Sequence, residues 1–251
     1  MKRIIFLMLL LLMLFTGSAL AQKYEYKNDN VNAGHIKKIV YLCTVPQSNA
    51  QYVHDPYVVQ KVDQLVHKKL VENGFVPVPF SKVIADANLA NNVNLLELNT
   101  KEPEKASAIM SGAMANYDGM LVLNILAYTT GQQYDPGYSY NTYETTTSTV
   151  HNSLGMPIAT INTPTTVTNT IPPAIINNAS VMLDVKLTDI KSNTVVFAYT
   201  EDRTKAAGRV FNKNVDPRGI VGRMTNVCVG DMADKIKDDA KKLELKHPGT
   251  R

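Results

Sequence analysis

Tryptophan is absent from this 251-residue chain, aromatic residues reach only 7%, and there are two cysteines and five histidines. The missing tryptophan does not preclude a core, since Val, Ile, Leu and Met are plentiful. Two cysteines are too few to define a metal site. His35, His54, His67, His151 and His247 are scattered, and none stands at the i, i+4 spacing of a metal-binding helix. An excess of one charge is also lacking: the formal net charge is +4, without the strongly basic stripe of a nucleic-acid binder. No Gly-x-Ser-x-Gly elbow, Walker loop, dinucleotide fingerprint or Ser-x-x-Lys motif occurs, and Gly137-Tyr138-Ser139-Tyr140 lacks the final glycine of an elbow. No catalytic residue, cofactor or metal ligand is therefore expected.

One long apolar run is present, at the start. Lys2 and Arg3 form a basic n-region, residues 4–15 are unbroken and apolar, and Ala19-Leu20-Ala21 is a small-x-small cleavage site. This predicts a signal peptide at residues 1–21 and a mature chain starting at Gln22, periplasmic or secreted, with a net charge reduced from +4 to +2 by loss of Lys2 and Arg3. Retained, the run would be a weak N-terminal anchor, since it is shorter than the roughly 20 residues of a membrane span. Gln22 stands where a lipoprotein would carry its cysteine. No second run approaches membrane length, so no stable transmembrane segment is expected in the mature chain.

Residues 22–34 read as a polar leader, and residues 35–244 as one domain with a tail at 245–251. A strand is expected at residues 35–44. Asp55-Pro56 then signals a helix start, Val58, Val62, Leu65, Val66 and Leu70 recur at helical spacing, and Gly74 stops the helix. Residues 75–80 suit a short strand that Pro77 and Pro79 push to a sheet edge. Residues 81–96 are ambiguous, with one helical turn at 83–87. A second helix at 102–115 buries Ala106, Ile109, Met110 and Ala113, and the apolar run 120–126 suits a strand covered on both faces. Val181, Leu183, Val185 and Leu187 alternate with polar residues, and residues 194–200 return as the partner strand of a hairpin. Asp216-Pro217 opens a last helix on which Ile220, Met224, Cys228, Met232 and Ile236 recur at spacing four. The expected fold class is α/β (α+β): a mixed β-sheet with packed helices, in the order β-α-β-α-β-(insertion)-β-β-α. Crossovers make the first three strands parallel.

The insertion, residues 130–178, is rich in Thr, Asn, Tyr and Pro. It holds a turn at Asp135-Pro136-Gly137 and a candidate hairpin around residues 152–155. Tyr134, Tyr138, Tyr140 and Tyr143 place four of the twelve tyrosines within ten residues. Such rings suit recognition of proteins or glycans, or alternatively they pack the insertion onto its own domain. A membrane barrel would need an apolar residue at every second position over about ten residues, and residues 140–150 are mostly Thr, Asn and Ser on both faces. Cys43 on the first strand and Cys228 on the last helix are candidates for a disulfide, or alternatively two small core residues.

The strand at residues 36–44, the approach Ala115-Asn116-Tyr117-Asp118-Gly119-Met120-Leu121-Val122 and the segment Leu187-Thr188-Asp189-Ile190-Lys191-Ser192-Asn193-Thr194-Val195-Val196 together resemble a group of bacterial envelope proteins. These are the N-terminal domain of TolB, the penicillin-binding-protein activator LpoB and the curli secretion channel CsgG. The TolB-like resemblance implies a non-catalytic domain that binds envelope proteins or a cell-wall polymer, with a homo-oligomer as a further expectation. No functional residue carries over. The lipidated cysteine and a lipid-facing stripe are both missing, so neither outer-membrane anchoring nor channel formation is implied. The function expected is that of an exported, non-catalytic accessory or assembly factor. The alternatives are an oligomeric secretion or pore component and a hydrolase with a dispersed site.

Overall fold

The computed structural model describes residues 19–45, 56–151, 157–208 and 212–246. They form eight strands: β1 (Ala19–Lys27), β2 (Lys38–Thr44), β3 (Val76–Pro79), β4 (Gly119–Asp135), β5 (Tyr138–His151), β6 (Pro157–Ile171), β7 (Ala174–Asp189) and β8 (Thr194–Ala206). The helices are α1 (Pro56–Glu72), α2 (Phe80–Asn91), α3 (Leu95–Lys101), α4 (Pro103–Met114) and α5 (Pro217–Lys246). The fold is mixed α/β, as the alternating elements predict. Six strands make one sheet in the order β1-β8-β7-β4-β2-β3, and β5 and β6 make a second sheet of two.

β2 pairs in parallel with both β3 and β4, in keeping with the crossovers between them. β3 lies at the sheet edge, where its prolines cost no ladder bonds. β7 and β8 are antiparallel, and their turn places Asn193 in the left-handed region at φ 51°. Val181, Leu183, Val185 and Leu187 are fully buried on one face of β7, and Ile220, Met224, Cys228, Met232 and Ile236 form the buried stripe of α5. With Ile39, Val62, Leu70, Leu121 and Leu123 they build one core. β4 is less covered than its apolar run suggests: Leu121, Leu123 and Ile125 are buried, while Met120, Val122 and Asn124 on the other face are half-buried.

Three stretches differ from the sequence expectation. The supposed polar leader is the edge strand β1, paired antiparallel with β8 from Ala19 opposite Lys205 to Lys27 opposite Phe197. Its polarity reflects an edge position: Glu25 bridges Lys23 and Lys27 at 2.8 and 2.7 Å, and Lys23 reaches Asp231 of α5 at 2.9 Å. The ambiguous stretch after β3 is helical, because its asparagines act as caps. Asn92 closes α2 at φ 50°, the Asn94 side chain accepts from the Leu96 N–H at 3.1 Å, and the Asn88 side chain accepts from Leu95 N–H at 2.9 Å. The insertion is largely strand, formed by the ends of β4 and β7 together with β5 and β6. The caps at Asp55, the turn around 152–155, most of the leader at 1–21 and the tail from 247 lie outside the described residues.

Two compact units are present. One contains Gly17–Gly131, Asn178–Ala206 and Asn214–Arg251, and with them the whole main core. The other includes Gln132–Asn177 and Ala207–Lys213. Within the second unit, Gly137 turns the chain at φ +76°, and a Cβ there would lie 2.4 Å from the Ile171 carbonyl oxygen, so glycine is required.

Candidate binding surface

In the second unit, β5 and β6 pair antiparallel from Tyr138 opposite Ile171 to His151 opposite Pro157. Directly opposite residues share a face. Tyr138, Tyr140, Thr142 and Glu144 therefore stand on one face with Ile171, Asn169, Val167 and Thr165. Ser139, Asn141, Tyr143 and Thr145 stand on the other with Thr170, Thr168, Thr166 and Pro164. Polar side chains bond across the strands: Ser139 with Thr170 at 3.1 Å, Thr168 to Asn141 at 2.9 Å and Asn169 to Thr142 at 2.9 Å.

The tyrosine cluster is thus divided. Tyr138 and Tyr140 lie together with ring centroids 6.1 Å apart, while Tyr143 projects from the opposite face. Tyr134, at the end of β4, is 67% exposed, Tyr138 56% and Tyr143 81%, whereas Tyr140 is half-buried. Tyr138 and Tyr143 thus face solvent from opposite faces of a ribbon of mostly hydroxyl and amide side chains, and Tyr134 from the end of β4.

In the first unit, several ionisable residues, among them Asp118, Asp184, Asp189 and His35, are engaged in structural bonds. Asp118 accepts from the backbone N–H groups of Lys37 and Lys38 at 3.0 and 2.9 Å, and its carbonyl accepts from Ile190 N–H at 2.9 Å. Asp189 accepts from the Ser192 hydroxyl at 2.7 Å and the Lys191 N–H at 3.2 Å, and His35 Nε2 lies 3.3 Å from it. The serine bonds the carboxylate rather than the imidazole, so these three do not form a nucleophile relay. Thr200 donates to Asp184 at 2.8 Å. His67 stacks edge-on against Tyr41 at 6.0 Å. The side chains of His54, His151 and His247 lie outside the described residues.

Sequence reading did not single out the bonding of Glu201, which is 1% exposed and accepts from both the Tyr199 hydroxyl and Arg203. Burial, reinforced by Glu201, drives the Tyr199 hydroxyl far above its usual pKa. Burial, with Asp63 nearby, raises Tyr41 to about 12. The i, i+2, i+4 spacing of Tyr199, Glu201 and Arg203 along one strand face was the available signal. Of the two readings of the cysteine pair, disulfide or small core residues, the structure has Cys43 and Cys228 as free, buried thiols. Burial first, then nearby acids, pushes both thiols upward and keeps them protonated, and Cys228 donates to the Thr225 carbonyl at 3.3 Å. Among the described residues no three His, Cys, Asp or Glu side chains group as metal ligands.

Two clefts flank α4. One, of about 780 Å³, is lined by Asp86, Asn91, Lys105, Asn116 and Tyr117, and Lys105 pairs with Glu102 at 3.4 Å. The other, of about 550 Å³, is lined by Phe80, Met110, Met114, Met120, Ile190 and Lys191.

These features define a mixed α/β sheet domain and a separate two-stranded unit bearing exposed tyrosines. No family model and no curated protein matches the chain. Among solved structures it is similar to the PelC dodecamer from Paraburkholderia phytofirmans, at 10% identity and a TM-score of 0.38 over 87% of this chain and 98% of that one. It is also similar to lipoprotein GNA1162 from Neisseria meningitidis, at 13% identity and a TM-score of 0.36 over 79% and 99%. A PDZ domain protein from Parabacteroides distasonis matches at 8% identity and a TM-score of 0.32, over 85% of this chain and 36% of that one.

Proposed function

We propose that this chain is an exported, non-catalytic protein of the bacterial cell envelope that acts by holding another envelope protein or a cell-wall polymer on its tyrosine-bearing two-stranded unit. The observation that carries this reading is the exposure of Tyr138 and Tyr143 on a ribbon whose other side chains are mostly hydroxyls and amides, with Tyr134 exposed at the adjoining end of β4 in the same unit. Large rigid rings give contact area at little entropic cost, and the hydroxyl and amide groups around them suit hydrogen bonding to a backbone or a sugar. Export rests on the basic and apolar leader and its small-x-small site. Cleavage after Ala21 would remove the first three residues of β1 and leave Gln22 opposite Asp202 through Lys27 opposite Phe197.

The test replaces Tyr134, Tyr138 and Tyr143 together with serine and crosslinks the protein in its native envelope, followed by mass spectrometry. The expected result is loss of the crosslinked partners with an unchanged melting profile. Partners retained in full would place the binding surface elsewhere.

A further inference from the structure

The two-stranded sheet has two outer edges, and they are chemically unlike. β5 runs for 14 residues without proline, lysine or arginine, and Glu144 is its one acidic residue. β6 carries Pro164, exposed and directly opposite Thr145. Proline has no N–H, so within a sheet its nitrogen lies on the outer side. Pro164 therefore removes a donor from the free edge of β6 and sets a ring there. Opposite residues in an antiparallel ladder turn their N–H groups either toward each other or both away. Thr145 must then present its N–H on the free edge of β5. The 3.4 Å approach of the Thr142 hydroxyl to the Val167 carbonyl fits this phase, since it puts that carbonyl on the inner side.

An edge of this length is ordinarily protected by lysine, proline or a bulge, and a two-stranded ribbon alone is marginal in water. The strand already accepted on the inner side of β5 is rich in Thr and Asn, and its side chains bond across the ladder. β5 has the same composition, so its own copy offers the same cross-strand chemistry.

We propose that the free edge of β5 pairs antiparallel with β5 of a second copy of this chain, giving a four-stranded sheet β6-β5-β5-β6 about a two-fold axis. Among the described residues of the two-stranded sheet, β5 is the open edge and Pro164 closes the edge of β6, so pairing through this sheet stops at two. The contact is made by backbone and leaves both sheet faces free. Tyr138 and Tyr143 lie on β5 themselves, so the two proposals are told apart by their readouts: Thr145→Lys changes the assembled mass, and the tyrosine replacements change the crosslinked partners.

The test is analytical ultracentrifugation of the full-length product recovered after export. The wild type should sediment at twice the chain mass. Thr145→Lys, which keeps the β5–β6 ladder, should halve that mass with an unchanged melting profile, and Thr145→Pro should do the same. Pro164→Thr should open the second edge and yield assemblies larger than two. A wild type that is monomeric at every concentration, a wild-type ring of three or more copies, or a dimer unaffected by Thr145→Lys would each overturn the proposal. So would β5 amide protection from hydrogen exchange that appears in a monomer only when envelope extract is added, since the edge would then belong to another protein.

Discussion

At the scale of single residues, Asp118, Asp189 and Asp239 set the acid limit of the fold. Burial alone would raise each carboxyl, but the hydrogen bonds outweigh it and each is held below the usual aspartate value. The donors are Lys38 and Lys37 N–H for Asp118, Ser192 and His35 for Asp189, and Lys235 with Ala33 N–H for Asp239. Because the folded pKa lies below the unfolded one, the stabilisation is complete above about pH 4 and is lost as pH falls through the depressed values. Urea midpoints should therefore decline below about pH 4, and Asp118→Asn or Asp189→Asn should each flatten that decline. The cysteines act oppositely, as inert core atoms. Reductant should leave the melting temperature unchanged, and Cys228→Ser, which keeps a donor for the Thr225 carbonyl, should cost about 1 kcal/mol in urea unfolding.

At the scale of elements, α5 organises the N-terminal segment as well as the sheet. Asp239, 2% exposed, accepts from Ala33 N–H at 3.1 Å and from Lys235 at 2.6 Å, while the Asn32 side chain donates to the Asp239 carbonyl at 3.0 Å. This fixes Gly34 against the helix so closely that a Cβ would sit 2.5 Å from the Cα and N of Ala240. Gly34→Ala should destabilise by about 1–3 kcal/mol, since backbone rather than a flexible side chain blocks the methyl. Gly222→Ala would meet only the Leu65 side chain at 3.5 Å and makes a suitable control on the same helix. None of this was visible in the spacing of apolar residues, because Gly34 and Ala240 meet only after the chain has crossed the sheet.

At the scale of the whole molecule, among the described residues every member of the main core lies in the larger unit, and none comes from Gln132–Asn177. β4 and β7 run antiparallel beside one another, with Gly119 against Leu187 at one end and Gly131 3.0 Å from the Asn178 side chain at the other. A short Gly-Ser linker from Gly131 to Asn178 can therefore close the gap, and changing a loop's length costs only about 0.6 kcal/mol per doubling. Replacing Gln132–Asn177 in this way should leave a single cooperative melting transition and abolish capture of envelope partners. An unfolded deletion variant would instead show that the tyrosine-bearing segment is needed for the core.

The sequence by itself determined the elements whose signals are local. The spacing-four stripe from Ile220 to Ile236, the period-two alternation from Val181 to Leu187 and the parallel order of β2, β3 and β4 follow from helix and strand periodicity and from connection lengths. It also marked the tyrosines as the chemical anomaly of the chain. Tertiary structure alone decided which polar segments became strands. β1 gains its conformation from the edge of β8 that it covers, and β5 and β6 gain theirs from each other. It alone divided Tyr138 and Tyr140 from Tyr143, buried Glu201 between Tyr199 and Arg203, and left Cys43 and Cys228 unbridged. The physical reason is common to the strands and the thiols: each is fixed by partners distant in sequence, so no window of neighbouring residues contains the interaction that decides it, whereas Glu201 bonds Tyr199 and Arg203 two residues away and owes only its burial to the tertiary packing.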